Sequence, residues 1–494
     1  MKAVLTKLEK SREFWFLFIT SIAFFLLRFP SLFEPYWYGD EGIYQVLGLA
    51  MRHGRLLYQG IWDNKPPLLY ILYAIFNSDQ FTVRFVSLFF GLFSVFAFFK
   101  LAKLLFFKNV EPTKKEREVV FISTAVYAFL FGIPLIEGNI ANAENFMLLP
   151  IIAAAFLVYQ RNQEQKKLSY FLGFFLPGLL LGLAFLFKIV ALFDFAAFAS
   201  FIFIVHFQTK KIKEIIEILT PYVVGFGTPI VLTALFFLSK GALGDFIHAS
   251  FAQNVGYVGY GNTFIIPQGL LILKLLMLGG SLLFLLNKRK QLETHTLFCL
   301  VWLFFSLFNA FFSQRPYTHY VLVVLPSLCL LLGLLMMGEK YKKFILVIYA
   351  LTIILLLKNF TYFGKTVFYY QNFVSFITGH KSVVDYQAFF DKNTPRDYEI
   401  ADFLRNHLAP TDTVFLWSNS AQIYKLVNRI PPGKYAAAYH ITATKDTLLE
   451  TAKALQKNPP TFIVIDQRIL YPFSLLGYKQ RMTIDETSVY ERSF

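Results

Sequence analysis

The chain has 494 residues, of which 56% are apolar, 19% aromatic and only 16% charged, with 60 phenylalanines. An ordinary soluble domain is about 25% charged, so this composition excludes disorder, collagen and a disulfide scaffold and leaves a polytopic membrane protein. The formal charge of +16 does not point to nucleic acid: residues 359–494 carry 15 basic and 12 acidic residues, and the rest of the excess sits in short clusters between apolar runs, as topology determinants do. Cys299 and Cys329 both lie in apolar runs and read as two buried thiols, with no Cys/His cluster of zinc spacing.

Apolar runs long enough to span a bilayer recur near 14–33, 83–107, 119–136, 146–160, 168–187, 189–207, 218–238, 269–286, 296–313, 319–337 and 344–358, about 11 spans. The run 168–207 is too long for one helix and is divided at Lys188, its first charge. Basic clusters fall on alternate loops: Lys2, Lys7, Lys10 and Arg12; Lys108, Lys114, Lys115 and Arg117; Arg161, Lys166 and Lys167; Lys210, Lys211 and Lys213; Lys288, Arg289 and Lys290; Lys340, Lys342 and Lys343. The positive-inside rule makes that face cytoplasmic, the N-terminus inside and the C-terminal region outside. The first span has charged flanks like a signal peptide, but it lacks a small-residue cleavage site and is too long for an h-region.

The loops on the other face are unusual. Residues 34–80 form a long loop, and two amphipathic helices fit it near 42–53 and 66–77, the second opened by Pro66 and Pro67 and both suited to the membrane surface. Residues 137–145, EGNIANAEN, carry two carboxylates. Residues 239–268 hold the Gly- and Tyr-rich QNVGYVGYGN, which reads as irregular backbone. No repeat of fixed period and no inverted symmetry between halves is visible, which weighs against many transporter folds.

The domain division that follows is a transmembrane catalytic domain over 1–358, a linker over 359–384, and an extracytoplasmic α/β domain over 385–494. In the last, a helix begins at Thr394-Pro395, VFLW (414–417) and TFIVID (461–466) read as strands, SAQIYKLV and TLLETAKALQ as helices, and SVYER as a final strand. It has no G-x-G-x-x-G, so nothing supports a dinucleotide site.

Four groups of residues carry chemical potential. Asp40-Glu41 follow the first span and an aromatic cluster; a carboxylate there suits a general base, and it equally suits a helix N-cap. In Asp63-Asn64-Lys65-Pro66-Pro67 the prolines explain a turn before a helix, but the lysine stands on the face where cations are disfavoured and suits a phosphate. Glu137, Glu144 and Asn145 lie at outer span ends, with solvation the default for Glu137 and a favourable helix start the alternative for Glu144. Lys188 and Arg315 either snorkel to head groups or serve a site at membrane depth. His248 and His319 read as lone histidines.

These residues resemble glycosyltransferase family 39, the GT-C group that includes protein O-mannosyltransferases and the lipid A aminoarabinose transferase. The resemblance rests on Asp40-Glu41 in YGDEGIY, Asp63 to Pro67 in WDNKPPLLY, and Glu144 in ANAENFMLLP. GLAFLFK ending at Lys188, RPYTHYVLVVLP and VFLWSNSAQIYKLVNRIPPGKY extend it in order along most of the chain. One departure is residues 186–189, Leu-Phe-Lys-Ile, where many members have Thr-Lys-Gly. The resemblance implies a GT-C fold and transfer of a sugar from a polyprenyl-phosphate carrier to a lipid, protein or polysaccharide acceptor at the outer face of the cell (inner) membrane, with inversion. It implies Asp40 as base with Glu41 and Glu144 as further catalytic carboxylates, and Lys65, Asp63, Asn64, Lys188, Arg315 and Tyr317 on the substrate. Some relatives bind a divalent metal near this site; no ligand set is clear in this sequence. The competing readings are a transporter or flippase of lipid-linked sugars, which would concentrate ionisable residues in mid-span, and a non-catalytic scaffold, which leaves the carboxylates and Lys65 without a role.

Overall fold

The computed structural model describes residues 11–108, 111–163, 170–207, 210–338 and 341–493, so the basic residues Lys2, Lys7, Lys10, Lys166, Lys167 and Lys340 of the topology argument lie outside the described residues. The chain divides into two compact units. One comprises Met1–Phe29, Val86–Leu238 and Ser250–Thr366; the other comprises Pro30–Phe85, Ser239–Ala249 and Val367–Phe494.

The first unit is helical. Apart from residues 168 and 169, which lie outside the described residues, the eleven apolar runs fall in helical segments. Among the described residues, seven helices are long and apolar enough to cross a membrane: Arg12–Phe33, Gln80–Phe106, Ala143–Gln163, Ile189–His206, Ile212–Ser239, Gly269–Lys288 and Thr294–Phe311. Phe171–Phe187 and Leu325–Met337 are shorter apolar helices. Local chemistry sets their ends. Thr113 caps the helix Lys114–Gly132 in a capping box, its Oγ accepting from Glu116 N at 3.2 Å while Glu116 Oε2 accepts from Thr113 N at 2.8 Å. Between Tyr170–Phe187 and Ile212–Ser239 the backbones meet without a side chain: a Cβ on Gly178 would lie 2.1 Å from the carbonyl oxygen of Tyr222, the small-residue packing expected where no hydrophobic force drives helices together. The helices differ in what they face. Only 6% of the apolar stretch of Gly269–Lys288 is buried against 78% for Thr294–Phe311, so the former leaves its side chains uncovered and the latter is core.

QNVGYVGYGN is not irregular: Gln253–Gly261 is a helix despite its glycines. Long-range bonds hold it, since Asn262 Nδ2 donates to Phe312 O at 2.8 Å and Lys274 Nζ to Asn262 Oδ1 at 2.6 Å. Tertiary contacts thus override weak propensity. Cys299 and Cys329 are both buried thiols, outside any disulfide.

The second unit holds a four-stranded sheet, β1 (Val414–Trp417), β2 (Phe462–Asp466), β3 (Tyr478–Ile484) and β4 (Thr487–Arg492), in the order β1-β2-β4-β3. β1 and β2 are parallel and the other pairs antiparallel. The helix Lys445–Lys457 lies between β1 and β2 in sequence, the crossover that a parallel pair requires. Every residue of β1 and β2 is buried, as continuous apolar runs should be when both faces are covered. β3 was not visible in the sequence: its residues Lys479, Gln480 and Arg481 are exposed, and it is an edge strand.

Residues 30–85 belong to this same unit. The helix Gly39–Arg52 begins earlier than the apolar pattern suggests, which places Asp40 and Glu41 in its first turn; the second helix is Leu68–Ile75. Residues Glu41 to Ala50 are buried without interruption. Close docking on two sides covers them: a Cβ on Gly42 would lie 2.9 Å from Gln422 N, and a Cβ on Gly48 2.9 Å from Ala74 N in the helix Leu68–Ile75. Trp62 packs on the core of Phe415, Trp417, Tyr435 and Ile463, with its amide donating to Lys434 O at 3.0 Å, and Arg55 Nη1 donates to Gly433 O at 2.8 Å.

Candidate active site

In the second unit the charged residues of the long loop converge. Lys65 Nζ lies 3.8 Å from Asp40 Oδ2 and 3.8 Å from Asp63 Oδ2, and 4.8 Å from the centre of the Tyr44 ring. The ammonium is thus set between two carboxylates and over an aromatic face. Its backbone is fixed from both sides. Tyr58 Oη donates to Lys65 O at 2.7 Å, and Lys65 N donates to Tyr70 Oη at 3.2 Å. Tyr70 in turn donates to Asp63 Oδ2 at 2.7 Å, and Asn64 N donates to Asp63 Oδ1 at 2.7 Å. Asp63 is nearly fully buried, while the Asp40 side chain keeps 37% exposure.

Asp40 is not a helix cap; Tyr38 holds that position without a side-chain bond. Tyr44 Oη donates to Asp40 Oδ2 at 2.9 Å, one helical turn on. Burial, then the charges of Asp40 and Asp63, hold the Tyr44 phenol well above its ordinary range, and burial with Asp63 does the same to Tyr70. Both stay protonated and act as donors.

Glu41 is placed differently. Arg84 bonds both of its oxygens, from Nη2 at 2.5 Å to Oε2 and from Nε at 3.1 Å to Oε1. The other end of the guanidinium reaches Glu34 Oε2 at 2.7 Å. All three side chains are essentially inaccessible. Glu34 also accepts from Trp37 Nε1 at 2.7 Å and from Tyr369 Oη at 2.6 Å. A buried charge network of this kind is satisfied only as a whole.

His440 was not singled out in the sequence. Its Nε2 lies 3.7 Å from Asp63 Oδ1, and its ring meets Trp62 edge-on at 5.1 Å. Burial lowers its pKa, opposed by Asp63.

In the first unit a second cluster forms. Lys188, in extended backbone after the helix Tyr170–Phe187, bonds Glu144 Oε1. His319 bridges two carboxylates, Nδ1 to Glu137 Oε2 at 2.9 Å and Nε2 to Glu144 Oε1 at 3.8 Å. His319 is therefore no lone histidine, and Glu137 is no freely solvated carboxylate. Lys188 Nζ also lies 4.4 Å from the centre of the Tyr320 ring. Asn145 holds the 137–145 loop, donating to Gly138 O at 2.8 Å. Arg315 lies over the Tyr260 ring at 5.1 Å, and Tyr317 is 45% exposed. Although His319 meets Glu137 and Glu144, no group of three His, Cys, Asp or Glu side chains among the described residues is arranged to hold a metal ion; Glu144 is bound to Lys188, and Asp40 and Asp63 face Lys65. These donor sets fit ion pairs rather than a divalent cation.

No family model matches the sequence, and no curated protein matches it. Solved structures do. ArnT from Cupriavidus metallidurans in the apo state is similar over 97% of this chain and 98% of its own, with a TM-score of 0.58 at 13% identity. The same protein bound to undecaprenyl phosphate gives a TM-score of 0.57 over the same extents at 13% identity. An oligosaccharyltransferase from Archaeoglobus fulgidus in the apo form covers 93% of this chain and 70% of its own, with a TM-score of 0.46 at 13% identity. At this identity the likeness to ArnT is one of fold, and it extends over nearly the whole chain: a multi-pass helical membrane protein with a small sheet, in the GT-C arrangement.

Proposed function

We propose that the protein is a membrane glycosyltransferase that moves a sugar from a polyprenyl-phosphate carrier to an acceptor hydroxyl, with inversion at the anomeric carbon. The observation that carries the reading is the clasp at Lys65: one ammonium, its backbone fixed by two buried tyrosines, standing 3.8 Å from a half-exposed Asp40. The likeness to an ArnT structure with bound undecaprenyl phosphate supports the carrier class.

The chemistry needs little else. The acceptor oxygen attacks the anomeric carbon from the face opposite the phosphate, the bond from that carbon to the phosphate oxygen breaks, and the electron pair leaves on the phosphate. The acceptor proton passes to Asp40, whose carboxylate is accessible and oriented by Tyr44. The leaving phosphate is already stable as an anion, so it takes cations rather than an acid, and Lys65 supplies one. Asp63 and Asn64 set that lysine. Glu41, held by Arg84, fixes the helix turn that carries Asp40 and acts as a positioning residue. In the first unit Glu144 holds Lys188, and Lys188, Arg315 and Tyr317 serve the carrier there. No step is routed through a metal.

The topology belongs to the same proposal: about 11 spans, a cytoplasmic N-terminus and the α/β sheet outside the cell membrane. A reporter active only in the cytoplasm, fused to the C-terminus, should be silent; activity would refute the orientation. For the reaction, purified protein is given undecaprenyl-phosphate-linked sugars and a cell-envelope extract. Release of undecaprenyl phosphate together with a new glycosidic bond is the expected result. Movement of the carrier across a vesicle without bond formation would favour a flippase instead.

A further inference from the structure

A cavity of about 300 Å³ opens in the second unit, at the lower end of the ~300–1,000 Å³ range of small-molecule sites. Ser418 and Asn419 follow β1 directly, and Asp466 ends β2. The cavity therefore lies at the carboxyl ends of the parallel strand pair, where open α/β sheets bind ligands. The start of the helix Thr394–His407, the start of Gly39–Arg52 and Gln422 complete its lining.

The lining chemistry selects a ligand. Arg396 is spent on Asp397, with Nη2 to Oδ1 at 2.7 Å, and Arg468 on Asp466, with Nη2 to Oδ2 at 2.6 Å. With Asp391 as a third carboxylate, which accepts from Asn393 N at 2.8 Å, the lining does not call for an anion. The two ion pairs offer planar donors and acceptors side by side, the pattern that vicinal hydroxyls fit. Trp37 adds an indole, an apolar plate for the C–H face of a ring. Gln422 is 5% exposed; its Nε2 donates to Asp397 Oδ2 at 2.9 Å, and its Oε1 has no hydrogen-bond partner among the described residues. That oxygen is itself shielded from solvent and packs beside Gly42, so the Gln422 amide lines the cavity while holding Asp397 in place. Gly39 lines the cavity and precedes Asp40 in the chain.

We propose that this cavity binds a neutral pyranose ring of the acceptor, so that the acceptor is itself a glycan or glycolipid. The assignment to the acceptor rests on the reading of Asp40 as base; the binding of a sugar does not.

The test uses the full chain in lipid nanodiscs. Methyl α-D-mannopyranoside, methyl β-D-glucopyranoside, methyl β-D-galactopyranoside and N-acetylglucosamine are titrated against it by saturation-transfer NMR, beside inorganic phosphate and a Ser/Thr tetrapeptide. Undecaprenyl phosphate is titrated separately as the donor-side probe. At least one glycoside should bind. Gln422→Met, which keeps the side-chain length and removes the amide, and Asn419→Trp, which fills the cavity from an exposed position, should each weaken it by roughly tenfold or more, the loss of one or two hydrogen bonds, with undecaprenyl phosphate bound as before. Glycoside binding that these variants abolish, in a protein that does not bind undecaprenyl phosphate, supports the site and overturns the donor reading alone. No glycoside binding by the wild type, binding that neither variant changes, or selective binding of phosphate or the tetrapeptide would overturn the sugar site.

Discussion

The carbonyl oxygen of Lys65 accepts a 2.7 Å hydrogen bond from Tyr58 Oη. The bond fixes the peptide of Lys65 without involving its side chain, so a substitution there removes the ammonium and leaves the loop in place.

Lys65→Ala should therefore lower turnover and weaken binding of undecaprenyl phosphate by roughly 10–100-fold, the loss of one charge-assisted hydrogen bond. Lys65→Arg should recover part of this, since a planar fork replaces a point charge. Pro67→Ala should do less, because Pro67 only precedes the helix Leu68–Ile75. Carrier affinity and turnover measured on the three variants check the order; wild-type behaviour of Lys65→Ala would remove Lys65 from the phosphate site.

Asp40→Asn should reduce turnover by about 10²–10⁴-fold, as removal of a general base does. Carrier binding and thermal stability should change little, since the side chain is 37% exposed and its bond from Tyr44 survives with an amide oxygen. Single-turnover kinetics at saturating donor measures this directly. Near-normal rates would transfer the base role elsewhere.

Arg84 predicts a different kind of damage. Arg84→Met leaves Glu34 and Glu41 buried without their cation. Removing one partner of a buried pair costs about 3–5 kcal/mol, so the variant should unfold at a markedly lower temperature or fail to accumulate. Glu41→Gln keeps an acceptor for Arg84 and should be milder in both stability and turnover. Thermal denaturation followed by the buried tryptophan Trp417 reports on this unit.

His440 gives the second unit a pH dependence. Burial, the larger influence, pulls its pKa below the ordinary 6.5, against the pull of Asp63. The unfolded chain then binds a proton before the folded one does. Its contribution to stability is full above pH 6.5 and is lost as pH falls below it toward the folded pKa. The apparent Tm should fall as the solution is acidified through that window, and His440→Gln, which cannot charge, should flatten that part of the profile. An unchanged profile in His440→Gln would mean that other groups govern the acid limb.

The sequence made the helices legible because apolar length alone marks them: among the described residues, the eleven runs fall in helical segments. It also showed β1, β2 and β4, whose residues are apolar or flanked by turns. β3 escaped because an exposed edge strand carries lysine, glutamine and arginine like a loop. Among site residues, Asp40, Asp63 and Lys65 were readable, being charged residues where an apolar chain has few. Arg84 was hidden inside an apolar run, FTVRFVSLFF, that reads only as a span. His440 was hidden for the opposite reason, as one polar residue in ordinary soluble sequence. Its closeness to Asp63 is a pairing of distant segments, and no local pattern encodes it. The same holds for His319, whose two carboxylates come from Glu137 and Glu144.

The tight seat of Gly42 against Gln422 has a consequence for biogenesis. At roughly 5–20 residues per second, the ribosome completes the helix Gly39–Arg52 on the order of tens of seconds before Gln422 is made. Throughout that interval the ten consecutive residues from Glu41 to Ala50 have no C-terminal segment to cover them. The nascent chain must therefore be sheltered, by the insertion machinery or the bilayer surface, until the last part of the message is translated, and a truncation anywhere before residue 422 strands a half-built unit.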